Sequence, residues 1–372
     1  MKILAAVIML AIVYTVQSIL FEKYWHKNLS LDMGFSRDYI ECGERADLVE
    51  VGTNDKFLPL PSFHFKFSVD KSLIFDDQDN SIITDYYHKN EVFSILGHQK
   101  ITRRLTFIGT QRGVYGVHNA NIVVHDYFMV KQYAGSMRKT DYIYVFPKKI
   151  TTDNFQVYFK GVMGEIETKR NIIEDSMSFR GIRPYQPFDS FRSINWKQSA
   201  KARELMVNMR GYTTDSRVRI LLNLDNDNMI ETQKLLEEAI SLASSFAREF
   251  IKEGINVSII TNGVNSENVP LPGVAEGAEI KHGITIDRML TEINGSQGKE
   301  SFLNILRNEM KSGNRDILYL IISPYAKDDM LQLIDKLQGS DGTLHLIVPY
   351  YDAYPYIKNR TYAEGWEVPI NV

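Results

Sequence analysis

The chain has 372 residues, enough for two or three domains each with its own core. With 43 Lys/Arg against 46 Asp/Glu its net charge is −3, which argues against a protein built to coat nucleic acid. A single cysteine, Cys42, excludes an intramolecular disulfide and any cysteine-rich metal site.

Residues 3–20 form an apolar run without charge, interrupted only by Thr15, Gln17 and Ser18. As a helix it spans about 27 Å, close to the ~30 Å of a hydrocarbon core. Phe21, Tyr24 and Trp25 follow as an interfacial belt, with Lys23 and Lys27 beside them. Lys2 would also serve a signal peptide. The run is long for that, however, and no small-x-small cleavage site precedes the aromatics, so an uncleaved anchor over residues 1–27 is expected. Lys23, Lys27 and Arg37 outweigh Lys2 and the amino terminus, which predicts a single-pass protein of the cell membrane with its bulk on the cytoplasmic side.

Residues 28–148 read as a β domain. Alternating runs at 46–51, 63–69, 100–107, 121–125 and 142–146 are separated by Gly, Asn, Asp and Pro clusters, the spacing of an antiparallel, immunoglobulin-like sandwich. Gly109 to Gly113 followed by Val114–Val117 predicts a hairpin or strand pair near a sheet edge. His118 and His125 are seven apart, which places them on opposite faces of a regular strand and argues against a shared metal.

Residues 149–216 are expected to be a connector, with 171–179 a surface loop. From 217 to 372 the pattern changes to alternating strands (218–224, 256–261, 316–323, 343–348) and helices (232–252, 286–293, 300–311, 328–337). That alternation implies a doubly wound, parallel sheet with ligands at the strand C-terminal ends. The tail from Tyr350 has no assignable pattern.

Within the connector, seven Lys/Arg stand against two acids between Phe179 and Arg210, a local net of about +5 in an acidic chain. Two readings stay open. In one, the cations pair with nearby acids while Trp196 and Tyr185 fill a core. In the other, the stretch is a docking surface for an acidic partner, with Arg183, Arg192, Lys197 and Lys201 making charge-assisted contacts and Trp196 and Tyr185 as anchors.

The same stretch carries Arg183, Tyr185, Pro187, Asp189, Arg192, Ile194, Trp196, Lys197, Ser199 and Ala200 in fixed register. That string resembles the signature of the bacterial "domain of unknown function 58" proteins. The departures are Phe188 where the family has Gly and Asn195 where it has Asp. The resemblance extends more weakly over nearly the whole chain. It implies a multidomain α+β protein: an N-terminal transmembrane helix, the β-sandwich, and an α/β doubly wound von Willebrand factor type A-like domain. It further implies partnership with MoxR-type AAA+ ATPases and other membrane proteins, and no enzymatic activity. Members usually carry two membrane helices; this chain has one.

A type A domain ends its first strand in D-x-S-x-S, whose oxygens hold Mg²⁺. The matching residues are Asp225-Asn226-Asp227-Asn228-Met229. Asp225 and Asp227 can offer oxygens, Met229 is a poor ligand for a hard cation, and the later acidic ligand is replaced by Ser323-Pro324. The resemblance thus predicts a degenerate site without a resident cofactor. The alternative function, a surface adhesion module using a metal-dependent site, needs that site complete. No G-x-S-x-G, Walker A lysine, H-E-x-x-H or reactive Cys-His pair points to an enzyme.

Overall fold

The computed structural model describes residues 2–136, 141–172, 179–186, 191–210, 216–225, 232–312, 317–339, 343–351, 357 and 360–369. The chain divides into two compact units, 1–148 and 149–372.

The first unit opens with helix α1, Lys2–Tyr24, which is long and apolar enough to cross a membrane. Twelve strands follow: β1 Leu29–Phe35, β2 Tyr39–Glu41, β3 Arg45–Asn54, β4 Leu60–Asp70, β5 Leu73–Phe75, β6 Ser81–Ile83, β7 Tyr86–Ile95, β8 Gln99–Gly109, β9 Gly113–Gly116, β10 His118–His125, β11 Gln132–Ser136 and β12 Tyr142–Phe146. They form an antiparallel sheet β1-β3-β8-β5, a second antiparallel sheet β11-β10-β4-β7-β6, and a small sheet β2-β12-β9. Period-2 alternation turns Phe63, Phe65 and Phe67 of β4 toward Leu48 of β3 and Phe107 of β8, so the sheets share one core.

Two local expectations are corrected. Of the hairpin or edge strand pair expected at 109–117, the hairpin does not form, because β8 and β9 do not pair with each other; β9 is instead an edge strand paired with β12 in the small sheet, and the turn at 109–113 carries the chain between sheets. His118 and His125 share a face, because a bulge between His118 and Asn121 shifts the register by one residue. Each has its own neighbour: His118 stands by Tyr86 at 6.0 Å between rings, His125 by His64 at 4.9 Å.

The second unit begins with α2, Asp153–Ile172. The strands β13 Phe179–Pro184 and β14 Met206–Arg210 pair antiparallel, and α3, Trp196–Ala202, lies between them in sequence. The remaining elements are β15 Arg217–Leu222, α4 Thr232–Lys252, β16 Asn256–Thr261, β17 Gly263–Val264, β18 Val274–Gly277, α5 Ile280–Thr291, β19 Gly295–Ser296, α6 Lys299–Ser312, β20 Ile317–Ile322, α7 Asp328–Gln338, β21 Thr343–Tyr350 and β22 Ala363–Glu367.

The main sheet runs β18-β16-β15-β20-β21-β22, parallel except for β18. In chain order that is 3-2-1-4-5-6, the doubly wound arrangement with its switch point between β15 and β20. One face carries α2, α4 and α5 over Val218, Ile220, Leu222 and Leu320. The other carries α6 and α7 over Leu221, Tyr319, Ile321 and Leu346. Burial on both faces explains why β20 reads as an unbroken apolar run and β15, β16 and β21 as runs interrupted only by Arg219, Ser258 and His345.

Helix α2 replaces much of the expected connector. Its Phe155, Phe159, Val162 and Ile166 recur at i, i+4, i+7 and i+11 and are buried in the core shared with α4 and the sheet. The tail from Tyr350, unplaced by pattern, supplies β22 as the parallel edge strand.

Candidate functional site

The signature residues sit on a small substructure of β13, β14, a 3₁₀ turn at Phe191–Ser193 and α3. Its frame is polar and local. Asn195 caps α3 by accepting from the Gln198 N–H at 3.0 Å, and its Nδ2 donates to Asn208 Oδ1 at 2.7 Å. The Ser199 hydroxyl donates to the Asn195 carbonyl at 2.8 Å and accepts the Met206 N–H at 2.8 Å, tying α3 to β14. Ile194 and Val207 bridge the two segments as buried apolar partners. Asn at position 195 therefore does the capping that Asp would do.

Around this frame the large side chains point outward. Trp196 is 67% exposed and Phe191 74% exposed, and Arg192, Lys197, Lys201 and Arg203 are exposed beside them. Trp196 is thus not a core residue, contrary to the structural reading of the stretch. Tyr185 is half-buried, with its ring 6.0 Å from that of Phe191. Arg183 lies on β13, donating from Nη1 to the Pro184 carbonyl at 3.0 Å. Pro187 and Asp189 lie outside the described residues. An exposed Trp and Phe flanked by four cations can supply apolar contact area and charge-assisted contacts together.

The second candidate lies at the switch point. Asp225, just past β15, is buried, and its Oδ1 accepts the Ser296 hydroxyl at 2.9 Å. Asn223 links the strands: its Nδ2 donates to Ser323 Oγ at 3.0 Å, and its Oδ1 accepts from Asn262 Nδ2 at 3.1 Å. Ser323 Oγ in turn donates to the Tyr325 carbonyl at 2.6 Å. Asp227 lies outside the described residues. Among the described residues this network offers one carboxylate, surrounded by amides and hydroxyls already engaged with one another. That donor set fits Mg²⁺ poorly.

Sequence reasoning missed two clusters. Between α2 and β22 lies a cleft of about 680 Å³ lined by Tyr158, Glu165, His345, Glu364 and Trp366, among others. His345 Nε2 is 3.1 Å from Glu165 Oε2, and burial, with Glu165 adding, holds the Glu364 carboxyl above the usual range. The cleft needed α2 and β22, neither of which the pattern supplied. In the β unit, Glu50 on β3 points inward among Glu91, Lys89 and Arg103. Burial first, then Glu91, pushes its carboxyl up to about 8, against the pull of Arg103 and Lys89. The alternation Leu48, Glu50, Gly52 already placed it on the core face.

No family model and no curated protein matches this chain. Solved structures with partial similarity include a cohesin–dockerin complex, Coh-OlpA–Doc918 from Clostridium thermocellum (8% identity over 31% of this chain and 99% of that one, TM-score 0.23). A non-cellulosomal cohesin from Archaeoglobus fulgidus is 10% identical over 35% of this chain and 97% of its own, TM-score 0.23. The CARDB domain of the PF1109 protein from Pyrococcus furiosus, solved with di-metal ions, is 14% identical over 32% and 88%, TM-score 0.21. Likeness at that level carries nothing about what this chain binds.

Proposed function

We propose that this chain is a membrane-anchored, non-enzymatic interaction protein that docks an acidic protein partner through the surface of β13, β14 and α3. The observation that carries this reading is the outward placement of Trp196 and Phe191 among Arg192, Lys197, Lys201 and Arg203. Burying a Trp and a Phe between partners while pairing several cations is how a compact surface gains both affinity and selectivity. The resemblance of the 183–200 string to the domain of unknown function 58 signature supports a MoxR-type AAA+ ATPase as that partner, and the second unit as a von Willebrand factor type A-like scaffold whose cation site has decayed. The adhesion alternative would need metal ligands around Asp225 that the described residues do not supply. α1 serves as the tether, with the body of the chain on the cytoplasmic side.

The test is capture from native membranes with wild type and with Arg192→Glu/Lys197→Glu. An AAA+ ATPase recovered by the first and lost by the second supports the docking reading. Equal recovery by both returns the stretch to a structural duty.

A further inference from the structure

The cover on α1 is confined to one stripe. Tyr14 and Gln17 are half-buried and Ser18 and Phe21 buried, at i, i+3, i+4 and i+7 on a single helix face. The stripe places two of the three polar residues of the apolar run, Gln17 and Ser18, against the rest of the unit, where among the described residues their buried side-chain polar atoms have no hydrogen-bond partner. The third, Thr15, donates to the Ala11 carbonyl at 2.7 Å. What covers the stripe is the turn from β10 to β11. Phe128 meets Tyr14 with ring centroids 5.8 Å apart, Tyr127 meets Phe21 at 5.7 Å, and Lys131 Nζ is 3.7 Å from a Glu22 carboxylate oxygen. The β3–β4 connection runs alongside: Leu58 and Tyr127 line a largely apolar groove with Ile12, Val16 and Leu20 and with one amide side chain, Gln17, and the Tyr127 hydroxyl donates to the Pro59 carbonyl at 3.2 Å.

The tip of this turn is apolar and open. Met129 is 66% exposed and Val130 65%, and Phe57 on the neighbouring connection is 90% exposed. Part of its backbone is bonded within the turn: Asp126 Oδ1 accepts from the Val130 and Lys131 N–H groups at 2.8 and 3.3 Å, and the Asp126 carbonyl accepts from the Met129 N–H at 3.0 Å. Each backbone group bonded in this way lowers the cost of bringing the turn to hydrocarbon depth.

Depth follows from helix length. The run 3–20 spans about 27 Å against a hydrocarbon core of about 30 Å, so no turn is spare and a bilayer around α1 must reach Leu20. Tyr14 then lies about 9 Å inside that boundary, six residues at ~1.5 Å each. Phe128, in ring contact with Tyr14, lies at the same depth.

We propose that the 127–130 turn, together with Phe57, is a second membrane-inserting element that enters the leaflet next to the body of the chain beside α1, its occupant being lipid acyl chains. This rests on reading α1 as a membrane anchor. The groove, the turn and its exposed apolar tip then form one lipid-facing surface continuous with the helix.

The experiment uses the full chain in nanodiscs, in a Cys42→Ser background, carrying the fluorophore NBD on one introduced cysteine: Leu10→Cys in α1, Met129→Cys in the turn, or Lys71→Cys at the opposite end of β4 from Pro59. Each is read with and without spin-labelled (doxyl) lipids. The expected result is a blue-shifted emission and loss of intensity at positions 10 and 129, with neither at 71. Quenching at 10 but not at 129 overturns the insertion while leaving the anchor in place, and makes the turn a protein contact. No quenching at 10 removes the anchor reading, and the insertion with it.

Discussion

Trp196, Glu50 and Asn195 each have a role that a single substitution separates. Because Trp196 is exposed, Trp196→Ala should leave stability within about 0.5 kcal/mol of wild type while weakening partner capture. A large drop in melting temperature would mean that the ring is holding the fold. Asn195→Ala removes both the cap on α3 and the donor to Asn208, an expected cost of about 1 kcal/mol or more in denaturant titrations. Asn195→Asp keeps the cap acceptor and should cost less. Glu50 is protonated in the fold up to about pH 8, whereas an unfolded glutamate ionises near 4.5. Its contribution to stability is thus fully present below pH 4.5 and is lost as pH rises toward 8. Glu50→Leu, which removes the buried carboxyl, should gain melting temperature over wild type, and the gain should be larger at pH 8 than at pH 5. A gain independent of pH would indicate that Glu50 is already ionised in the fold.

At the scale of elements, α2 and the turn at 126–131 decide most. α2 buries four apolar side chains in the core of the second unit, so Phe159→Ala should cost about 3–5 kcal/mol by chemical denaturation. A change below ~1 kcal/mol would demote the helix to a peripheral connector. The stripe in α2 was present in the sequence, but Gly161 and Gly164 interrupt it and weaken any helical expectation. By contrast, the ranges 232–252 and 256–261, expected as helix and strand, coincide with α4 and β16. Both have strong periodicity and a clear stop at Gly254, which adopts φ +72°. The bulge in β10 had no signal in composition. It arises from pairing with β4, and pairing alone sets which face His118 takes.

For the whole molecule, the doubly wound unit places its switch point at Asp225, the position where such folds bind ligands. Mg²⁺ should nevertheless leave the melting temperature of the chain unchanged, because Asp225 is the one carboxylate among the described residues of that network. A cation-dependent rise that Asp225→Ala abolishes would put a metal there. Function on this reading lies on two surfaces outside the sheet: the cationic aromatic patch around Trp196 and the apolar rim around α1.

The sequence alone determined the apolar helix at the amino terminus, the alternation of strands and helices after residue 217, the strands buried on both faces and the cationic excess around the signature; it did not place the start of that unit, which lies at 149. Those features are written in periodicity and composition, which act over a few residues at a time. Only the tertiary structure decided that Trp196 faces water, that Glu50 meets Glu91 across a core, that α2 and β22 enclose a cleft, and that Phe128 lies against Tyr14. Each depends on segments far apart in the chain, and no local pattern records which distant surface a side chain will meet.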